Sequence, residues 1–566
     1  MALQLTRRAR SRRGPRRALA IGVAVGAILL AGGCGGASTH RSASANASAG
    51  GSPAGGAGDR ATSASLTGGT PGEPAPRPGS PNIVFVLTDD LAWNLVPYMP
   101  HVVAMERRGA TFTNYFVSDS LCCPSRASIL TGRFPHDTHV FDNSPPEGGY
   151  ATFRARGEEH KTFATALQRE GYYTALMGKY LNGYRPVFGH VPPGWNEWDV
   201  AGNGYPEYGY TMNSDGRARR YGYRARDYLT DVLAGKGVSF IQSAAARRRP
   251  FLLEVGTFAP HSPFTPAPRD SLSFPGVSAS RSPAFNAVGT DEPSWLSHFA
   301  PLDPLQVDAI DRKFRLRVQA VQAIDRMIGR LESVLEQEGL AGDTYIVFSS
   351  DNGLHMGEHR LLPGKLTAFD TDIRVPLIVT GPGVVAGETV AQMTENIDLC
   401  PTFERLAHAR VSRRVDGRSL VPLLRGRAVP GWPREVLVEH HGRTFHLGDP
   451  DLPTQLPTQG SGNPPTYEAI RTPTTLYVEY ANGEREYHDL TEDPYEMHNL
   501  AGRPPPALAR RLHDVLAAAE HCHGPASCQR ALSLPVETGE AAGVLREPPP
   551  FASGLQATAP RARPPT

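Results

Sequence analysis

Five short apolar runs, rich in β-branched residues, constrain the fold of this chain more than any other feature. They are Asn82–Thr88, Tyr172–Met177, Phe251–Phe258, Tyr345–Ser349 and Val375–Thr380. Continuous runs of this kind suit strands buried on both faces, as in a parallel sheet covered by helices. Between the third and fourth runs, a helix is predicted from about Asp303 to Gln337. There Val321, Ile324, Ile328, Leu331 and Leu335 form one apolar stripe, and Gly339 and Gly342 terminate it. Four of the runs stop against side chains that can do chemistry: Asp89-Asp90, Gly178-Lys179, Ala259-Pro260-His261 and Ser350-Asp351-Asn352-Gly353. The fifth closes on Gly381-Pro382-Gly383. In open parallel sheets the ligand crevice lies at the carboxyl edge, so these distant residues can converge on one site.

From about Gly431 the pattern changes. Val436–His440, Tyr467–Arg471 and Thr475–Tyr480 read as short antiparallel strands, with a turn at Ala481-Asn482-Gly483. Pro505–His521 reads as an amphipathic helix. The expected fold is therefore α/β: a large mixed, mostly parallel sheet flanked by helices over 81–430. A smaller C-terminal α+β subdomain on a short antiparallel sheet follows over 431–530, and residues 531–566 form a Pro- and Ala-rich tail.

The N-terminus reads as an export signal over residues 1–33. Seven arginines within Met1–Arg17 precede the short apolar run Ala18–Leu30 and the small residues Ala31-Gly32-Gly33. Thirteen residues are too few to span a bilayer, which takes roughly 20. Cys34 follows directly, in a setting that resembles a bacterial lipobox, and Gly35–Ser80 is a Gly/Ala/Ser-rich tether. The expected location is the outer face of the cell membrane, held only through lipid on Cys34. The formal charge is +2, and removing the seven arginines leaves −5. A mildly acidic mature chain argues against nucleic-acid binding. Of the other cysteines, Cys123 and Cys400 read as buried thiols. Cys522 and Cys528 enclose a small loop and can pair in an oxidising compartment.

The stretch Leu121–Arg133 carries the most specific chemistry. Pro124 suits a first helical position, Ala127, Ile129 and Leu130 give about two turns, and Gly132 can cap them in left-handed geometry. Cys122 then sits at a helix mouth, where unpaired N–H groups favour an anion, with Arg126 one turn on. The spacing Cys-x-Pro-Ser-Arg-x-x-x-Leu-Thr-Gly-Arg resembles the type I sulfatase signature. In that family the first cysteine is oxidised to formylglycine by a generating enzyme, and its hydrated aldehyde is the nucleophile. The matching residue is Cys122. The resemblance implies an alkaline-phosphatase-like fold and a sulfuric ester hydrolase.

Asp89, Asp90, Asp351 and Asn352 form a hard, oxygen-only set suited to Ca²⁺ or Mg²⁺. The resemblance implies that they hold one divalent ion, Ca²⁺ first and Mg²⁺ as the alternative, together with residue 122. It further implies that Arg126, Lys179 and Lys365 hold the sulfate and that His261 protonates the leaving oxygen. Within the family, Gly178-Lys179-Tyr180-Leu181-Asn182 and Asp351 through Met356 look closest to glucosamine-6-sulfatases and heparan-sulfate endosulfatases. So does Asp372-Ile373-Arg374-Val375-Pro376. Tyr487 through Leu500 resembles the family's C-terminal signature. Many arylsulfatases carry a histidine where Leu181 stands, so His355 and His359 are candidates for the base that expels sulfate. With Arg471 they are also candidates for substrate contacts. The expected substrate is a sulfated carbohydrate, a 6-O-sulfated glucosamine unit. A broad arylsulfatase, a phosphodiester or phosphonate hydrolase on the same fold, and a non-catalytic sulfated-glycan binder are the competing readings.

Overall fold

The computed structural model describes residues 76–411, 414–442, 460–504 and 506–533. Residues 1–75, which include the expected export signal, Cys34 and most of the expected tether, and the residues beyond 533 lie outside the described residues. In chain order the first twelve strands are β1 (Asn82–Thr88), β2 (Ala110–Phe112), β3 (Tyr115–Phe116), β4 (Tyr173–Gly178), β5 (Glu197–Gly202), β6 (Thr211–Ser214), β7 (Arg217–Arg220), β8 (Phe251–Gly256), β9 (Thr344–Ser350), β10 (Leu377–Thr380), β11 (Glu388–Val390) and β12 (Thr394–Glu395). β13 (Val436–His440), β14 (Tyr467–Arg471), β15 (Thr475–Tyr480) and β16 (Arg485–Asp489) follow.

Ten strands form the large sheet, in the order β11-β2-β10-β9-β1-β8-β4-β5-β6-β7. Its centre, β9-β1-β8-β4-β5, is parallel throughout. Four of the five apolar runs are the four innermost of these strands. The fifth differs from its expectation. β10 runs antiparallel to β9, with Leu377 opposite Ser349. The chain enters β10 from the crevice edge, directly after the helical turn Asp370–Ile373, so Gly381-Pro382-Gly383 leaves on the far side.

Alternation along β1 shows how the sheet is covered. Ile83, Phe85 and Leu87 join one core with Ala127, Ile129 and Leu130 of the helix Cys122–Thr131. Val84 and Val86 join the other, beneath the long helix Pro304–Gln337. That helix starts on an Asp303 cap, whose side chain accepts the Gln306 N–H, and its predicted stripe is buried. Gly237 lets the helix Leu229–Arg247 press against it. A Cβ there would stand 2.9 Å from Leu331 Cδ2. The β5–β7 edge had no continuous apolar signal. β7 reads Arg-Ala-Arg-Arg and is fully exposed, a charged edge that resists further pairing.

β13–β16 form the predicted antiparallel sheet, with Arg485–Asp489 adding a fourth strand. Val436, Val438, Ala469, Leu476 and Val478 face the core of the large sheet. Leu437, Ile470 and Tyr477 face the opposite way, against Leu512, Val515 and Leu516 of the helix Pro506–Ala519. The Cys522–Cys528 disulfide seals this C-terminal layer. Cys123 and Cys400 are buried free thiols.

Candidate active site

The carboxyl ends of β1, β4, β8 and β9 deliver the site. Beyond β1, Asp89 and Asp90 are buried, and Asp90 takes a left-handed φ of 64°. Its N–H donates to Asp351 Oδ1 at 3.2 Å, and the Leu91 N–H donates to Ser350 Oγ at 2.8 Å. These bonds lock the β1 and β9 ends together. Gly178 and Gly256 close the β4 and β8 ends. A Cβ on Gly178 would lie 2.0 Å from the Gly256 carbonyl oxygen, and one on Gly256 would lie 2.4 Å from that of Lys179. Only glycine at both positions lets these backbones meet and send Lys179 into the crevice.

The helix carrying Cys122 runs from Cys122 to Thr131, with Leu121 as an extended cap residue. It begins two residues earlier than Pro124 suggested. A proline is tolerated throughout the first turn, because its missing N–H has no helical partner there. Gly132 closes the helix at φ 68°, as expected. Cys122 is thus the first helical residue, and its Sγ lies 3.4 Å from Asp89 Oδ1.

Lys365 reaches the same atom from the loop after β9. Its Nζ lies 2.7 Å from Cys122 Sγ, 2.5 Å from Asp90 Oδ1 and 3.3 Å from Asn352 Oδ1. Lys179 Nζ lies 2.5 Å from Asp89 Oδ2. Arg126 donates through Nε to Asp351 Oδ2 at 2.7 Å and through its other nitrogens to the Lys179 and Thr88 carbonyls at 3.4 Å. It ties three strand ends to the helix. His261 Nδ1 is fixed on the Ser262 carbonyl at 2.8 Å, which leaves Nε2 facing Asp90 Oδ2 at 3.5 Å. The Tyr205 ring lies against His261, and Lys179 sits over the same ring.

Electrostatics follow from burying three carboxylates among lysine, arginine and histidine side chains. Burial opposes ionisation of Asp89, yet Lys179 foremost, with His261, Arg126 and Lys365, holds it below the carboxylate range. Burial likewise opposes the charge on Lys179 and Lys365, but Asp89 and Asp90, respectively, keep both ammonium groups protonated. Burial and then Asp89 push the Cys122 thiol up to about 12. A divalent cation added to these buried ion pairs would make the crevice positive, complementary to an anionic ester. Donor atoms of Asp89, Asp90, Cys122 and His261 lie within 4.8 Å of one another. Asn352 Oδ1 adds a further oxygen beside Lys365, and this hard set fits a divalent ion. Asp351 stands slightly apart, with one oxygen on Arg126 and the other on the Asp90 N–H.

Three other expected residues are placed elsewhere. His355 Nδ1 lies 3.0 Å from both oxygens of Asp372, and its Nε2 lies 3.0 Å from the Ser461 carbonyl. Both ring nitrogens are engaged by protein oxygens. His359 is buried and stacked on Phe369 at 4.0 Å, and burial holds its imidazole neutral, down to about 3. Arg471 is buried and pairs with Asp370 at 2.8 and 3.0 Å.

Two supporting residues carried no readable signal of their role. Arg317, fully buried in the long helix, donates to the Asp90 carbonyl and to Met356 Sδ. Asp372 accepts from Thr367 N–H and Oγ1 as well as from His355, shaping the loop that presents Lys365. Arg317 looks like any helical arginine in sequence. Asp372 opens the family-like Asp372–Pro376 stretch, but nothing in that stretch says which side chains it will hold.

This architecture and crevice define a hydrolase of anionic esters on an alkaline-phosphatase-like fold. The chain belongs to the sulfatase family: residues 81–409 match the family model described as Sulfatase, and the enzyme is a sulfuric ester hydrolase. It is 35% identical over 472 residues to N-acetylglucosamine-6-sulfatase of Capra hircus, covering 79% of this chain and 84% of the relative. It is 29% identical to an arylsulfatase of Volvox carteri, covering 78% and 75%. A solved structure described as in complex with its substrate D-glucosamine-2-N,6-O-disulfate superposes with a TM-score of 0.64 at 23% identity, covering 77% of this chain and 97% of that one. A phosphonate monoester hydrolase from Silicibacter pomeroyi superposes at 0.58 with 23% identity, covering 76% and 93%.

Proposed function

We propose that this enzyme removes sulfate from the 6-O position of glucosamine or N-acetylglucosamine units in a glycan. The observation that carries this is the 35% identity to N-acetylglucosamine-6-sulfatases across most of both chains. The glucosamine disulfate named for the structural relative supports the same chemical class.

Cys122 would be converted to formylglycine by a generating enzyme, and the hydrated aldehyde would supply the nucleophilic hydroxyl chemistry at that position. Asp89, Asp90, Asp351, Asn352 and residue 122 would hold one divalent cation, Ca²⁺ before Mg²⁺, which draws charge off the sulfate oxygens. Lys179 and Lys365 neutralise the remaining oxygens. His261 holds a proton at Nε2 for the departing sugar oxygen, with its ring oriented by the Ser262 carbonyl. Arg126 fixes Asp351 against the helix.

The place of action we infer is the outside of the cell, with Cys34 lipidated as the only membrane attachment. Among the described residues no helix is long and apolar enough to cross a membrane. The decisive assay compares kcat/KM for glucosamine 6-sulfate, free and N-acetylated, with nitrophenyl sulfate and a matched phosphate ester. The sugar sulfate should win. A tenfold preference for the aryl sulfate, about 1.4 kcal/mol of transition-state binding, would overturn the assignment.

A further inference from the structure

Away from the crevice, one set of metal-ligating side chains joins distant parts of the chain. His136 and Asp137 lie on the short helix Pro135–Thr138, just after the helix of Cys122. His523 lies inside the Cys522–Cys528 loop. One donor atom from each comes within 4.8 Å of the other two. His523 Nδ1 is 2.5 Å from Asp137 Oδ1. Asp416 ties the disulfide loop to the chain before His136, because its oxygens accept the Gly524 and Phe134 N–H groups at 2.7 and 3.0 Å. His136 Nδ1 is 2.9 Å from Glu439 Oε1, an arrangement in which a carboxylate orients an imidazole, and Nε2 can ligate a cation once it gives up its proton and its bond to a backbone carbonyl. That Nε2 now rests 2.8 Å from the Cys522 carbonyl oxygen.

We propose that His136, Asp137 and His523 form a second metal site, for zinc or a similar borderline divalent cation, which clips the disulfide loop onto the catalytic framework. The donor set distinguishes it from the crevice. Two imidazoles and one carboxylate suit zinc and poorly suit calcium, whereas the crevice is dominated by hard oxygens. Tetrahedral zinc, with bonds of 2.0–2.1 Å, needs ligand atoms about 3.3 Å apart, so the 2.5 Å between His523 Nδ1 and Asp137 Oδ1 has to open by about 0.8 Å and a separation at the 4.8 Å bound would have to close by about 1.5 Å. His523 can supply that movement, because its side chain is 70% exposed. His136 supplies the rest by turning off the Cys522 carbonyl, and water takes the fourth position. The ion would link residues 386 positions apart and anchor the C-terminal layer against the helix that follows Cys122.

The test uses the full-length enzyme as purified, dialysed against zinc chloride and then against metal-free buffer, with bound zinc counted by elemental analysis. One zinc per chain is expected in the native sequence and none at this site in His523→Ala or Asp137→Asn. Zinc should raise the Tm of the native protein but not of either variant, and desulfation rates should match in all three. Cobalt in place of zinc should show the intense visible absorption of a tetrahedral site, lost in His523→Ala. Absence of zinc uptake, or uptake and Tm shift unchanged by both substitutions, overturns the proposal.

Discussion

The Lys365 ammonium stands 2.7 Å from Cys122 Sγ, although 243 residues separate them in the chain. The same nitrogen touches Asp90 and Asn352. One lysine therefore couples the Cys122 thiol to two of the strand-end oxygen donors, and it does so from a loop shaped by Asp372.

Position 122 should be the only cysteine in the chemistry. Cys122→Ala should lower kcat by about 10³-fold or more, as expected when a nucleophile is lost. Cys123→Ala should retain activity and lose only packing, since its thiol is buried beside the Asn143 contact made by its backbone N–H. Mass spectrometry of the Leu121–Arg126 peptide, with hydrazide trapping, should find the aldehyde at 122 and an intact thiol at 123.

Removing the divalent ion should abolish turnover. Chelation should inactivate the enzyme, calcium should restore it, and magnesium should restore it less well. Stoichiometric zinc in the crevice with calcium absent would contradict the hard-oxygen assignment.

His261 should matter in proportion to how poor the leaving group is. His261→Ala should reduce kcat on a sugar sulfate by about 10²–10⁴-fold, the usual worth of general acid catalysis. On nitrophenyl sulfate, whose leaving group needs no proton, the loss should be far smaller. Equal losses on both substrates would show that His261 only packs the site.

Arg317 should act through the Asp90 turn. Burial pulls its guanidinium down to about 10, and Asp90 and Glu358 counter this. Arg317→Met removes a charge-assisted bond to the Asp90 carbonyl worth about 1.5–3 kcal/mol. Calcium titration of the chelated protein should show affinity weakened about tenfold or more, with near-native Tm. Unchanged affinity would limit Arg317 to packing.

Stability should fall with alkaline pH through His488. Burial works against its charge, but Asp493 and Glu486 outweigh it and raise the imidazolium to about 9. Glu486 Oε2 lies 3.0 Å from Nε2. The unfolded value is about 6.5, so the raised group stabilises fully below that pH and loses the contribution as pH rises through about 9. The span corresponds to about 3 kcal/mol. Tm should decline across this window in the native enzyme, and His488→Gln should flatten that part of the profile.

The parts legible in sequence were those encoded within a few neighbouring residues. A run such as Asn82–Thr88 is continuous because both faces of β1 are buried, and the point where it stops puts Asp89 and Asp90 at the crevice. The Cys122–Arg133 spacing pointed to the family and to the Gly132 cap, and the stripe on the long helix marked its buried face. Tertiary structure alone decided the rest. The direction of β10 depends on where the chain re-enters the sheet, which no property of Val375–Thr380 records. His355, His359 and Arg471 look available in sequence, yet Asp372, Phe369 and Asp370 occupy them from elsewhere in the fold. Arg317 gains its role from a carbonyl 227 residues away. Local patterns report how a residue is buried; which partner it meets is set by long-range packing, and that partner determines whether a charged side chain binds, positions or only fills.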